Sequence, residues 1–318
     1  LSETLGVACI GCGGIARKQH LKNLVSIPRY RLIATVDVVE ERARGCAQEF
    51  GASFHAPRME EVLDREEIGA VLICTPPESH VPLATQAARA GKHVFLEKPM
   101  GMTGEECEEL ERAVGEAGIK LMVGFCYRFN PAVELARQVV AEPAFSLAHV
   151  MSGTEGSQFS YIFHNLCHAA DLLCWWHGAE PSRITAGGSG RGKREPAGVD
   201  RLAAVIEFEN GTAAVIVVGG GSATLSLPKW LYKVCGGEGV NCEVWNYQYA
   251  RFFPDSGLNA GGEEWYHKGH RKELELFAEA VLTDTPSPVP PAAGTRAARI
   301  TEKVLASWAR REGGNYAE

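Results

Sequence analysis

Val7-Ala8-Cys9-Ile10-Gly11-Cys12-Gly13-Gly14-Ile15-Ala16 is a short apolar run that breaks into a G-x-G-x-x-A turn and continues as a helical pattern. Gly11 permits the tight turn, Gly13 lets the backbone approach a pyrophosphate, and Ala16 is small enough for the helix to pack on the strand. The phosphates then sit on the helix N-terminus, which makes Gly11, Cys12, Gly13, Gly14 and Ile15 candidate cofactor-binding residues. A second apolar run, Arg31-Leu32-Ile33-Ala34-Thr35-Val36, ends in Asp37, roughly twenty residues after Ala16. There a carboxylate accepts hydrogen bonds from the adenosine ribose hydroxyls and repels a 2′-phosphate. Val38-Val39-Glu40-Glu41 brings no arginine to welcome such a phosphate, so NAD is expected over NADP, with Arg42 and Arg44 the nearest cations.

Beyond Asp37, strands alternate with helices. A helix is expected near Glu40–Phe50, a short one near Met59–Arg65, then the strand Ala70–Cys74. Prolines at 76 and 77 stop that strand, and Ser79 is placed to cap a helix at Val81–Ala90. Val94-Phe95-Leu96 follows and delivers Glu97, Lys98 and Pro99 at its end; an acidic helix near Gly104–Ala117 and the run Lys120–Phe125 complete the rhythm. Strands joined by helical crossovers imply an α/β fold with a parallel, doubly wound sheet, assigned to residues 1–123. Such sheets bind ligands outside the carboxyl ends of their strands, which leaves Lys98 beside whatever the sheet holds.

From residue 124 to 318 the pattern changes. A helix near Pro131–Ala141 is followed by strand runs at Ser146–Ser152, Ser182–Ser189, Arg201–Phe208, Thr212–Val218, Trp230–Cys235 and Cys242–Tyr249. Glu209-Asn210-Gly211-Thr212 reads as a hairpin with a two-residue connection. These runs predict an α+β second domain with a mainly antiparallel sheet, closed by a Pro-rich link at Pro286–Pro291 and an amphipathic helix near Thr295–Arg310.

At 318 residues the chain is long enough for two domains, and a net charge of -7 argues against nucleic acid or an anionic membrane as partner. No apolar stretch is long enough to span a bilayer, and Leu1-Ser2-Glu3-Thr4 does not read as a signal peptide. Ten cysteines fall mainly within apolar runs, as reduced thiols do in a cytoplasmic protein. Cys9-x-x-Cys12 matches redox and zinc spacing but lies inside the first strand and its turn, with no second C-x-x-C.

Gly11–Ala16, Cys74-Thr75-Pro76-Pro77-Glu78-Ser79-His80, Glu97-Lys98-Pro99, Gly124-Phe125-Cys126-Tyr127-Arg128-Phe129-Asn130-Pro131 and His168-x-x-Asp171 occur in an order that resembles the glucose-fructose oxidoreductase/inositol dehydrogenase (Gfo/Idh/MocA) family. The resemblance covers nearly the whole chain. It implies a Rossmann domain joined to an α+β domain whose open sheet often mediates oligomers, here a homodimer or homotetramer. It also implies NAD(P) with a sugar, polyol or related substrate. On the same ground Cys74, Thr75, Pro76 and His80 lie against the nucleotide, and Glu97 reaches the nicotinamide ribose. Lys98 lies by the nicotinamide and the substrate hydroxyl, before a commonly cis Pro99. Arg128, with Asn130, is a ligand contact or an interdomain hinge contact. An exposed amine, with a pKa of about 10.4, is a poor base at neutral pH. Burial beside a cationic ring lowers it toward the roughly 7–8 useful for proton exchange.

Ser160–Gly178 reads as a helix that puts His164, His168, Asp171 and Trp175 along one face. The family commonly shows Asp-x-x-x-His here, acting with the lysine in substrate binding and proton transfer. His168 matches the histidine, whereas His164 stands where the aspartate belongs. Lys98, His168, His164 and Asp171 are the candidate catalytic residues. Because H-E-x-x-H is absent, no metal is expected. Gly153–Gln158 and Gly187–Gly198 read as loops covering the substrate. Three classes stay open: an NAD-dependent oxidoreductase, a hydrolase or lyase using NAD for transient redox, and a non-catalytic binding regulator.

Overall fold

The computed structural model describes residues 4–151, 158–190, 199–219, 229–255, 257–258 and 268–310. The chain divides into two compact units, Leu1–Cys126 with Gly269–Ala298, and Tyr127–Lys268 with Arg299–Glu318. The first unit thus runs a few residues past the expected boundary at 123, and the chain comes back at Gly269 to complete it.

In the first unit β1 (Leu5–Ile10) is followed by a helix with a π-type stretch at Ala16–His20 that runs into α1 (Leu21–Ser26). Then come β2 (Tyr30–Val36), α2 (Glu40–Phe50), β3 (Phe54–Ala56), α3 (Glu60–Leu63), β4 (Ala70–Ile73) and α4 (His80–Arg89). β5 (His93–Leu96), α5 (Gly104–Ala117) and β6 (Leu121–Val123) close this part. The sheet is parallel throughout, with strand order β3-β2-β1-β4-β5-β6. Every residue of β1 and β4 is buried, as expected for strands covered on both faces. The order reverses between β1 and β4, so the ligand crevice of such a sheet opens at their carboxyl ends, where Gly11 and Cys74 lie.

The returning segment contributes α8 (His270–Leu282) and the start of α9 (Pro291–Arg310). Phe277 meets Phe95 edge-on at 5.8 Å, the Tyr30 hydroxyl donates to the Leu274 carbonyl at 2.6 Å, and Val123 N–H donates to the Val289 carbonyl at 3.0 Å. Ser79 does not cap α4; its hydroxyl turns back to Thr75 Oγ1 (2.8 Å) and the Pro76 carbonyl (2.7 Å).

In the second unit α6 (Pro131–Val139) is capped by Asn130, whose side chain accepts from the N–H groups of Ala132 and Val133, with Pro131 starting the first turn. β7 (Pro143–Met151) and α7 (Gln158–His177) follow. Then come β8 (Pro181–Gly190), β9 (Val199–Phe208), β10 (Ala213–Gly219), β11 (Trp230–Gly236), β12 (Asn241–Trp245) and β13 (Tyr249–Phe253). They form one sheet of order β13-β12-β11-β7-β10-β9-β8, antiparallel except for the β7–β10 pair. Burial alternates along β9, so one face is covered, by α7, and the other is open. Positive φ at Gly178, with its N–H on the Cys174 carbonyl, ends α7.

Two turns depart from expectation. The β9–β10 connection has three residues, not two: Phe208 pairs with Thr212, and only Gly211 takes a positive φ, of 82°. The run Cys242–Tyr249 is not one strand. It breaks at Asn246 (φ 49°) and Tyr247 (φ 60°), and β13 folds back on β12. Of the two expected cover loops, 153–157 and 191–198 lie outside the described residues, while Gly187–Gly190 belongs to β8.

Candidate active site

The nucleotide side is built at the ends of β1, β2 and β4. Gly11 has φ +90°, and a Cβ there would stand 2.9 Å from the Cys74 carbonyl carbon and oxygen, so only glycine fits against β4. A Cβ on Gly13 or Gly14 would meet nothing within 4 Å, so the phosphate face of the turn is open. Asp37 Oδ2 accepts from Cys12 N–H and Oδ1 from Val39 N–H, both at 2.9 Å. Each oxygen keeps acceptor capacity for a ribose hydroxyl. Arg44 is paired with Glu41, and the residue directly after Asp37 is Val38, 90% exposed, which brings no cation to the position. Burial and the neighbouring Cys9 and Cys46 thiols push the Cys12 thiol up, and the Cys74 thiol is pushed up by its hydrogen bond with Cys9 and by burial. These are unreactive thiols around a phosphate turn, and all ten cysteines are free.

Lys98 stands half-buried at the end of β5, and its bond to Pro99 is cis. Glu97 is only 7% exposed. Its Oε1 meets His20 Nε2 at 2.6 Å and its Oε2 accepts the Lys98 N–H at 2.9 Å, so the carboxylate is held under Lys98. Burial alone would raise this acid, but the His20 hydrogen bond and charge, with Lys98 and His270, bring it down to about 2. His80, expected at the nucleotide, is 1% exposed; Nδ1 engages the Pro99 carbonyl (2.7 Å) and Nε2 the Thr75 carbonyl (2.8 Å). It ties the loop after β4 to the Lys98-Pro99 turn, leaving exposed Pro76 and half-buried Thr75 at the surface.

Sequence reasoning missed the group behind Glu97. The His20 and His270 rings lie 5.7 Å apart, and Glu273, fully buried, has no hydrogen-bond partner on either carboxyl oxygen. The signal was a polar residue at a core spacing: Ala16, His20 and Leu24 share a buried helical stripe, as do His270, Glu273 and Phe277.

In the second unit α7 carries the other candidates. Asp171 takes both Nε (2.8 Å) and Nη2 (2.5 Å) of Arg128, each residue more than nine-tenths buried. Arg128 therefore serves Asp171, and its guanidinium also lies 5.7 Å from the Trp175 ring. His168, 6% exposed, lies under the Tyr127 ring at 4.5 Å with Trp230 edge-on at 6.1 Å. His164 is half-buried four residues earlier, its ring 6.2 Å from Phe163. Among the described residues no three His, Cys, Asp or Glu side chains are grouped to hold a metal, and no helix is long and apolar enough to cross a membrane.

Residues 5–125 match the family model described as "Oxidoreductase family, NAD-binding Rossmann fold". The chain is 30% identical over 299 residues to "scyllo-inositol 2-dehydrogenase (NAD(+))" of Bacillus subtilis, covering 86% of this chain and 85% of that one. It superposes on the crystal structure of a putative myo-inositol dehydrogenase from Sinorhizobium meliloti with a TM-score of 0.82 at 21% identity, over 97% and 98% of the two chains. An oxidoreductase from Agrobacterium radiobacter, solved with NAD+, L-tartaric acid and magnesium, gives 0.83 at 18% identity over 97% of each. At such identities these two likenesses speak for the fold.

Proposed function

Because the chain belongs to the Gfo/Idh/MocA family of oxidoreductases with an NAD-binding Rossmann fold, we propose that it acts on a secondary hydroxyl or keto carbon of a sugar, polyol or cyclitol. It is a dehydrogenase of CH–OH groups. The open glycine turn and the ribose-facing Asp37 fit NAD, which supplies the hydride acceptor when bound. The observation that carries the reading is Lys98, fixed at the carboxyl end of β5 by the buried Glu97 below it and by the His80 tie to Pro99.

In this reading Lys98 Nζ takes the hydroxyl proton as the carbon gives up hydride, and His168 serves the same proton transfer from α7. His164 sits where the resemblance has an aspartate, and it supplies an imidazole in place of a fixed negative charge. Asp171 acts through Arg128, holding the turn that carries Tyr127 rather than touching substrate. The open face of the second sheet presents Leu147, Val205, Val215, Trp245, Tyr249 and Phe253 beside the charged Lys233, Glu243 and Arg251, a mixed surface suited to self-association as a dimer or tetramer. The free thiols suit a reducing compartment such as the cytoplasm.

The test is incubation with NAD and a panel of inositols, sugars, polyols and glycosides, following NADH absorbance and released product together. Oxidation in step with NADH formation supports the reading. Cleavage without net NADH would replace it with a transient-redox hydrolase or lyase, and binding without turnover with a regulator. Lys98→Ala should keep NAD affinity within about twofold and lower kcat by at least about a hundredfold; normal turnover would remove Lys98 from the mechanism.

A further inference from the structure

Tyr247 occupies a position that favours glycine. The Trp245–Gln248 turn, closed by Gln248 N–H on the Trp245 carbonyl at 2.8 Å, takes left-handed φ at both central residues, Asn246 (49°) and Tyr247 (60°). Asparagine tolerates this; a bulky L-residue pays about 1–2 kcal/mol. Asn246 secures the turn to β11 by exchanging two hydrogen bonds with Trp230: its N–H to the carbonyl (2.7 Å), and Trp230 N–H to Oδ1 (3.0 Å). What glycine could not supply is the ring. Tyr247 is 6% exposed and stacks on Tyr127 with centroids 3.9 Å apart and planes at 13°, while its hydroxyl donates to Tyr232 at 2.9 Å. Its carbonyl accepts from Asn130 Nδ2 at 2.9 Å. Tyr127 in turn lies 4.5 Å from the His168 imidazole. An aromatic pair is worth about 0.5–1.5 kcal/mol and a hydrogen bond a similar amount, so these contacts offset the backbone cost.

We propose that Tyr247 is a positioning residue: through the Tyr247–Tyr127 stack it fixes the imidazole of His168, and the strained turn is kept to deliver that ring. Resting on the role given above to His168, the proposal deepens that reading. A tyrosine in the left-handed region whose ring backs a proton-transfer residue is the situation in which strain is retained for function. Trp230, edge-on to both Tyr127 (5.3 Å) and His168, closes the side of the stack.

The test uses the full-length protein as Y247F, Y247L and Y247G, read by the His168 ring-proton NMR resonance and by steady-state kinetics. The Tyr127 ring current shifts that resonance, so it reports the stack with no need for turnover. Y247F keeps the stack and should leave the resonance in place and kcat within about twofold. Y247L, which keeps bulk without a π face, and Y247G, which relieves the turn, should move the resonance and lower kcat about tenfold or more with a smaller change in KM. An unmoved resonance in Y247L and Y247G overturns the proposal, as does a moved resonance with unchanged kcat. If the unmodified protein turns over none of the substrates, the functional reading fails while the resonance still decides whether Tyr247 holds His168.

Discussion

Glu97 and Glu273 share one buried cluster, yet their surroundings push the two acids in opposite directions. Burial would raise Glu97, but His20, Lys98 and His270 outweigh it and hold the acid at about 2; burial raises Glu273 well above the usual range, and the Glu97 charge adds to it. From about 4.5 upward the unfolded chain releases the Glu273 proton before the folded chain does, so this group makes stability fall as pH rises. Glu273→Gln removes that term. Thermal melts at pH 4 to 8 should show the variant close to the unmodified protein at pH 4 and increasingly more stable toward pH 8. A pH-independent difference would mean that Glu273 is ionised in the fold. Asp37 and Lys98 were legible as residues because each ends a strand of its own. His20, His270 and Glu273 were not, since their partners come from segments far apart in sequence.

Helix α7 also depends on a buried titratable group. His177 closes it by a cycle of hydrogen bonds: the Thr212 hydroxyl donates to Asn210 Oδ1 and therefore accepts from His177 Nδ1–H, leaving Nε2 to accept from Ser146. Asn210 Nδ2 completes the cycle on the His177 carbonyl, and the imidazole stacks on Phe208 at 4.5 Å. The cycle needs a neutral ring, and burial pushes His177 down to about 4. This stability is full above about 6.5 and is lost as pH falls toward 4, because the unfolded histidine charges first. His177→Gln, which keeps polar atoms without that titration, should flatten the decline in melting temperature between pH 6.5 and 4; an unchanged slope would place the acid sensitivity elsewhere. Elements with strong periodicity, such as α5 and α7, were readable in advance. β3 was not, being three residues at a sheet edge, and α8 was hidden because His270 and Glu273 interrupt its apolar stripe. The β12–β13 turn was unreadable for a related reason: Asn246-Tyr247 lacks the glycine that announces such turns, and its tertiary contacts supply what the local sequence does not.

Over the whole molecule, the alternation of strands and helices and the change to strand runs revealed two units, because each depends on local pattern. The return of Gly269–Ala298 to the first unit depends on contacts between distant parts of the chain, and it decides what can fold alone. Residues 1–126 by themselves leave Phe95 without Phe277, Tyr30 without the Leu274 carbonyl and Val123 without the Val289 carbonyl. Exposing a buried aromatic or aliphatic side chain costs about 1.5–3 kcal/mol. Leu274, Phe277 and Val289 are all essentially buried, so their loss is comparable with the roughly 5–15 kcal/mol that holds a domain. A fragment of residues 1–126 should therefore melt without a cooperative transition and bind NAD weakly. The same fragment joined by a Gly-Ser linker to residues 269–298 should melt cooperatively and bind NAD within about tenfold of the full chain, measured by calorimetry. Cooperative melting and full NAD affinity in residues 1–126 alone would show that the returning segment is an accessory to the nucleotide fold.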